Sequence, residues 1–124
     1  MSYLLVFVGG GIGAALRHAV NVAFARWFGT NFPYHTLFEN VSGSLVMGLL
    51  AGYFAFRSNA PQDVQLFLTT GILGGYTTFS AFSLDAVLLC EKGQWWPAAG
   101  YVATSVGGSI LGLVLGLVLI RQMA

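Results

Sequence analysis

The side chains able to do chemistry in this chain are polar residues set inside long apolar runs. Arg17, His18 and Asn21 fall in the first run, Glu39 and Asn40 stand together in the second, and Tyr101, Ser105 and Ser109 recur at four-residue spacing in the last. The third run is the densest: between Gly71 and Ser83, Gly74, Gly75, Thr77 and Thr78 precede Phe79 and Phe82. A polar group in an apolar span is costly unless it is paired or faces a cavity, so these residues mark either a paired interior or a path. Arg17 is a permanent cation, Glu39 a carboxylate, and Asn40 offers N–H donors and a carbonyl. Arg17 and Glu39 either pair with each other or line water.

Glycine costs about 1 kcal/mol in a helix interior, and neighbouring threonine hydroxyls compete for backbone partners, so a helix break is expected at Gly74–Thr78. Broken backbone in a membrane is tolerated where protein or a cavity satisfies it, and its freed groups make ion sites. Carbonyls there suit a small cation, whereas Thr, Ser and amide donors suit an anion. Phe79 and Phe82 share a face if the helix resumes, and their electropositive ring edges suit a narrow anion path; the plainer reading is two core phenylalanines. Tyr101, Ser105 and Ser109 form a hydroxyl stripe or bond back to their own helix. Asp85 and Thr36 fall near opposite ends of such a path, with interfacial solvation as the bland account.

The elements that must position these groups follow from composition. Of 124 residues, 56% are apolar and 7% charged, with a formal net charge of +1 and a mean hydropathy of +0.77. So few charges do not cover a soluble surface, and the expected solvent is a bilayer. Four apolar stretches, 3–28, 34–56, 64–90 and 95–120, each exceed the roughly 20 residues that a bilayer core requires. The expectation is an all-α integral membrane protein: one domain over 1–124 with four transmembrane helices. Turn and interface residues separate them: Gly29 to Pro33, Ser58 to Pro61, and Glu91 to Gln94. Trp27, Tyr34, Trp95 and Trp96 fall on one side, where aromatic rings anchor at headgroups.

With four spans, Arg57 and Arg121 stand on the terminal side and Arg26 and Lys92 on the other, so the basic bias that sets orientation is close to zero. Insertion in both orientations and an antiparallel dimer follow; the alternative is a weak bias decided by lipids or a partner subunit. Small residues at four-residue intervals, Gly100, Thr104, Gly108, Gly112 and Gly116 in the last span and Ser44, Gly48 and Gly52 in the second, mark close helix contacts. The lone Cys90 reads as helix packing. The apolar start of the chain has no basic region ahead of it, so it reads as a retained span rather than a cleavable signal. A net charge near zero leaves nothing for nucleic acid, and no catalytic triad, phosphate loop or His cluster supports an enzyme.

The run from Gly71 to Ser83, GILGGYTTFSAFS, resembles the GxxGGxTTFSTFS signature of the Fluc family of fluoride channels. The resemblance extends over the whole chain, through Gly9 to Arg17 (GGGIGAALR), Thr36 to Gly48 with its central Asn40, and Tyr101, Ser105 and Ser109. It implies a dual-topology homodimer with two antiparallel pores, in which Phe79 and Phe82 turn their edges to fluoride and Asn40 donates to it. Tyr101, Ser105 and Ser109 would form the polar track, Thr78 would supply the motif hydroxyl, and Arg17, Thr36 and Asp85 would stand at the vestibule. A structural Na+ at the dimer interface would be held by the Gly74 and Thr77 carbonyls of both subunits.

Three positions depart from the family pattern. Glu39 stands where members usually carry an aliphatic residue, Ala81 replaces the second threonine of the motif, and Asp85 stands in place of a usual Glu. A carboxylate beside an anion path repels fluoride unless it is neutralised, paired or turned away.

The resemblance implies passive export of cytoplasmic fluoride across a bacterial inner membrane, conferring fluoride resistance. Selectivity would come from close donors that replace water in a bore too narrow for chloride. The partners implied are fluoride, membrane lipid and a second copy of the chain, or a paralogue in a heterodimer. The competing reading is a dual-topology, proton-coupled small multidrug exporter using Glu39; a third is a purely structural partner subunit.

Overall fold

The computed structural model describes residues 1–56 and 59–123. Arg57, which enters the charge balance, and Ser58, which enters the second connection, lie outside the described residues. Helix α1 covers Ser2–Phe28 and stops at Gly29, whose φ of 75° is a conformation glycine adopts without steric penalty. Pro33 then precedes α2, Tyr34–Phe56, and its carbonyl accepts from Leu37 N at 3.3 Å. A second proline, Pro61, caps α3, Gln62–Leu66, with Asp63 in the first turn where the helix dipole favours an acid. The chain continues as a π-helix, Phe67–Leu73, and a short α4, Gly74–Tyr76.

Helical geometry stops at Thr77 and Thr78, both extended, with ψ of 159° and 121°. It resumes in α5, Phe79–Glu91, where Thr78 Oγ1 accepts from Ala81 N at 3.1 Å as a side-chain N-cap. A turn with Gly93 at φ 78° leads to α6, Trp95–Met123. Ser2–Phe28, Tyr34–Phe56, Gln62–Glu91 and Trp95–Met123 are each long and apolar enough to cross a membrane, and no strand occurs among the described residues.

Packing is set by glycine. Helix α2 lies along α6, where a Cβ on Gly116 would stand 2.6 Å from the Leu45 carbonyl oxygen and one on Gly48 would run into the Leu113 carbonyl. Such backbone contact is the use expected of small residues at four-residue intervals. It extends to Gly108, whose Cβ would meet Val41, but Gly100 has nothing within 4 Å. Helix α1 packs on the π-helix and α4 in the same way, with a Cβ on Gly9 falling 2.8 Å from the Phe67 carbonyl oxygen.

A small apolar core of Phe82, Leu89, Ala98 and Tyr101 joins α5 to α6, and Cys90 packs against it. Elsewhere large apolar side chains face outward, including Tyr3, Phe7, Trp96 and Leu111, as a lipid-facing surface requires.

Candidate functional site

The two extended residues between α4 and α5 are stitched to α2 by one side chain. Asn40 Oδ1 accepts from Thr78 N at 2.9 Å, and Asn40 Nδ2 donates to Thr78 O at 3.1 Å. Asn40 thus satisfies both backbone groups of the residue that has left the helix, and keeps one amide N–H for a further partner. A second tie comes from α1, where Arg17 Nε donates to Gly75 O at 3.1 Å. Among the described residues Arg17 makes no ion pair with Glu39 within 4 Å, and its guanidinium secures a carbonyl instead.

Beside this stitch lies a cavity of about 200 Å³ lined by Asn40, Ser44, Thr77, Thr78, Phe79, Phe82, Ser105, Val106 and Ser109. Among the described residues no ionisable side chain lines it. The two phenyl rings, with centroids 5.5 Å apart and planes tilted by 49°, are not equivalent. Phe82 is 8% exposed and packs on Tyr101, whereas Phe79 is 77% exposed. Ser105 is 4% exposed, and its Oγ is the buried side-chain polar atom left without a hydrogen-bond partner among the described residues. Its hydroxyl does not bond back to its own helix, and is free to serve whatever occupies the cavity.

The hydroxyl stripe of α6 divides: Ser105 and Ser109 face the cavity, but Tyr101, 1% exposed, sits in the core and donates to Asp85 Oδ2 at 3.1 Å. Thr36, also 1% exposed, lies against the same tyrosine hydroxyl. Thr36 and Asp85 therefore converge on Tyr101 and do not stand at opposite ends of a path, because the start of α2 and the body of α5 meet there. Ser44 and Val106 were not singled out from sequence as cavity residues. Ser44 follows Asn40 by one helical turn, so the spacing that placed Asn40 also carried the signal for Ser44.

Glu39 is 1% exposed, does not line the cavity, and faces Asn21 of α1.

Backbone carbonyls supply the chemistry for a small cation. Among the described residues no three His, Cys, Asp or Glu side chains gather as a metal site. The helical donor to the Gly74 carbonyl is the Thr78 N–H, which Asn40 takes, and the donor to the Thr77 carbonyl is the Ala81 N–H, which Thr78 Oγ1 takes. Both carbonyls are released from the helix by side chains of this chain, and hard oxygen donors of this kind fit a cation such as Na+.

Three comparisons bear on this arrangement. Residues 4–117 match the family model described as CrcB-like protein, Camphor Resistance. A protein of Rhodopseudomonas palustris (strain BisB5) named fluoride-specific ion channel FluC is 65% identical over 123 residues, covering 99% of each chain. Proteins of the same name from Methylobacterium nodulans, 56% identical over 122 residues and 98% of each chain, and Granulibacter bethesdensis, 52% identical over 123 residues covering 99% of this chain and 97% of its own, are also similar.

Proposed function

This chain belongs to the CrcB-like family, and on that premise we propose that it is a passive, fluoride-selective ion channel of the bacterial inner membrane that lets cytoplasmic fluoride leave the cell. It is a multi-pass membrane protein and not an enzyme. The observation that carries the reading is the uncharged cavity in which the Asn40 amide, the unpartnered Ser105 hydroxyl and Ser109 converge beside two phenyl rings. Fluoride is small and strongly hydrated, so passage requires neutral donors close enough to replace water without binding so tightly that the ion stays. Asn40 offers one amide N–H that its contacts with Thr78 leave over, and Ser105 and Ser109 offer O–H donors on the facing helix. The exposed Phe79 ring stands at the cavity edge, where its C–H edge can meet an anion and its bulk narrows the bore.

Two further parts of the reading concern assembly. The chain pairs with a second copy in antiparallel orientation, completing on the exposed Phe79 side a path that one copy leaves open. The near-balanced Lys and Arg distribution supports this. The interruption between α4 and α5 serves the pore and frees the Gly74 and Thr77 carbonyls for a structural Na+ shared by the two copies, whose charge would offset converging carbonyl dipoles. The exporter reading draws no support, since Glu39 is buried away from the cavity and presents no carboxylate to a cationic substrate.

Growth tests the reading in a cell. A fluoride-sensitive bacterium lacking its own exporter should regain growth on fluoride when it expresses this chain alone, and the Asn40→Asp variant, present in the membrane at equal amount, should not restore it. Restoration by both forms would contradict the reading.

A further inference from the structure

The large side chains buried most completely are Tyr101, Glu39 and Thr36, all of them polar. Tyr101 and Thr36 meet Asp85 or its neighbourhood, but Glu39 has no part in the proposed fluoride path. Its contacts run the other way. With the amide nitrogen of Asn21 turned toward α2, Nδ2 lies 2.5 Å from Glu39 Oε2, 3.0 Å from His35 Nδ1 and 3.1 Å from the Arg17 carbonyl oxygen. Glu39 and His35 are four residues apart on one face of α2, so a single amide reaches both.

Asn21 acts on His35 as a donor, because an amide nitrogen carries protons and no accepting lone pair. Thr36 Oγ1 lies 3.2 Å from the same ring nitrogen, and its hydroxyl donates or accepts according to the tautomer. A ring nitrogen that accepts has no proton, so the neutral imidazole carries its proton on Nε2. The ring also lines a second cavity, of about 90 Å³, with Thr30, Asn31, Asp85 and Lys92, where the α1–α2 and α5–α6 connections meet. Its Nδ1 is turned inward against Asn21, which leaves the Nε2 edge away from α1. The Lys92 ammonium lines the same cavity and suits a small hydrated anion, and the Asp85 carboxylate that also lines it accepts at Oδ2 from the Tyr101 hydroxyl.

We propose that this mouth cavity is an anion-docking site whose donor is His35 Nε2–H, and that Glu39 is the residue that positions it, acting through Asn21. The inference rests on the channel reading and adds to it a recruiting site and a use for the buried carboxylate. Glu39 holds the amide nitrogen of Asn21 toward α2. Without that acceptor the amide nitrogen keeps only the Arg17 carbonyl, which already accepts within α1; the amide then turns its oxygen to His35, the ring takes its proton on Nδ1, and the donor at the mouth is lost.

Nitrogen NMR of 15N-histidine-labelled protein in lipid reads the tautomer directly, under conditions where the imidazole is neutral, with His18→Gln identifying the His35 signals. The expected result is the Nε2–H form in the wild type and in Glu39→Gln, whose amide oxygen still accepts from Asn21. A shift toward Nδ1–H is expected in Glu39→Leu and, as a second route to the same loss, in Asn21→Leu. Nδ1–H in the wild type, or one tautomer throughout the series, would overturn the proposal.

Fluoride efflux at low fluoride gives the functional arm. His35→Phe and Glu39→Leu should each slow it about fivefold, the scale of one hydrogen bond. Glu39→Leu with His35→Phe should be no slower than His35→Phe alone, and Glu39→Gln should recover most of what Glu39→Leu loses. Multiplying losses in the double variant would overturn the proposed coupling. A wild type silent toward fluoride would overturn the docking role together with the channel reading, while the tautomer series would still decide whether Glu39 positions His35.

Discussion

Replacing Ser105 with alanine should move stability and transport in opposite directions. The Ser105 hydroxyl is buried, without a partner among the described residues, and borders the 200 Å³ cavity. A buried hydroxyl with no partner carries a desolvation penalty of about 1–3 kcal/mol, so removing it leaves the fold unharmed and stabilises it by up to about 1 kcal/mol. During conduction the same hydroxyl donates to an anion, and a hydrogen bond to a charged group contributes about 1.5–3 kcal/mol. Its loss should therefore slow fluoride passage about 10- to 150-fold, at roughly tenfold per 1.4 kcal/mol. Thermal melting of the purified protein in detergent gives the first quantity, and electrode-detected fluoride efflux from proteoliposomes gives the second. A Ser105→Ala protein that melts lower than the wild type, yet passes fluoride within about twofold of it, would refute the assignment of this hydroxyl to the ion.

Other substitutions separate roles that the structure distinguishes. Asn40→Ala strips both backbone partners from Thr78 and should destabilise by about 2–5 kcal/mol as well as abolish efflux. Asn40→Asp keeps the acceptor for Thr78 N, so it should fold better than Asn40→Ala in a melting series and still block fluoride, because a carboxylate then borders the cavity. The two phenylalanines should also part company. Phe82→Ala in the core should cost about 3–5 kcal/mol, whereas Phe79→Ile should leave melting unchanged and reduce efflux. Gly48→Ala pushes a Cβ into the Leu113 carbonyl; a melting loss of about 1–3 kcal/mol is expected from such overpacking.

Much of this was legible in the sequence, for identifiable reasons. Apolar run length located the helices, and Gly29, Pro61 and Gly93 punctuate them where a positive φ or a missing N–H is tolerated. Helical spacing and the motif brought Asn40, Phe79, Phe82, Ser105 and Ser109 forward, and all five line one cavity. Spacing gives the azimuth of a side chain on its own helix and says little about its depth against another. The Asn40–Thr78 stitch spans 38 residues and the Arg17–Gly75 bond 58, and neither partner's spacing announces the other.

The same gap misplaced Thr36 relative to Asp85 and left the partner of Glu39 open. The extended residues are Thr77 and Thr78 rather than the glycines before them. Gly75 earns its place by close approach, since a Cβ there would strike the Gly10 carbonyl of α1, so its helix penalty is offset by packing. Thr78 leaves the helix because Asn40 and its own capping hydroxyl take over the bonds the helix would have made.

The most direct test of the central claim is fluoride efflux from proteoliposomes containing only this purified chain, with and without valinomycin to carry potassium, and with chloride as the control ion. Rapid fluoride loss that requires valinomycin, without chloride loss, is the expected result for an electrically uncoupled, fluoride-selective pore. Fluoride loss that runs without valinomycin and follows an imposed pH gradient, or equal loss of chloride, would contradict it.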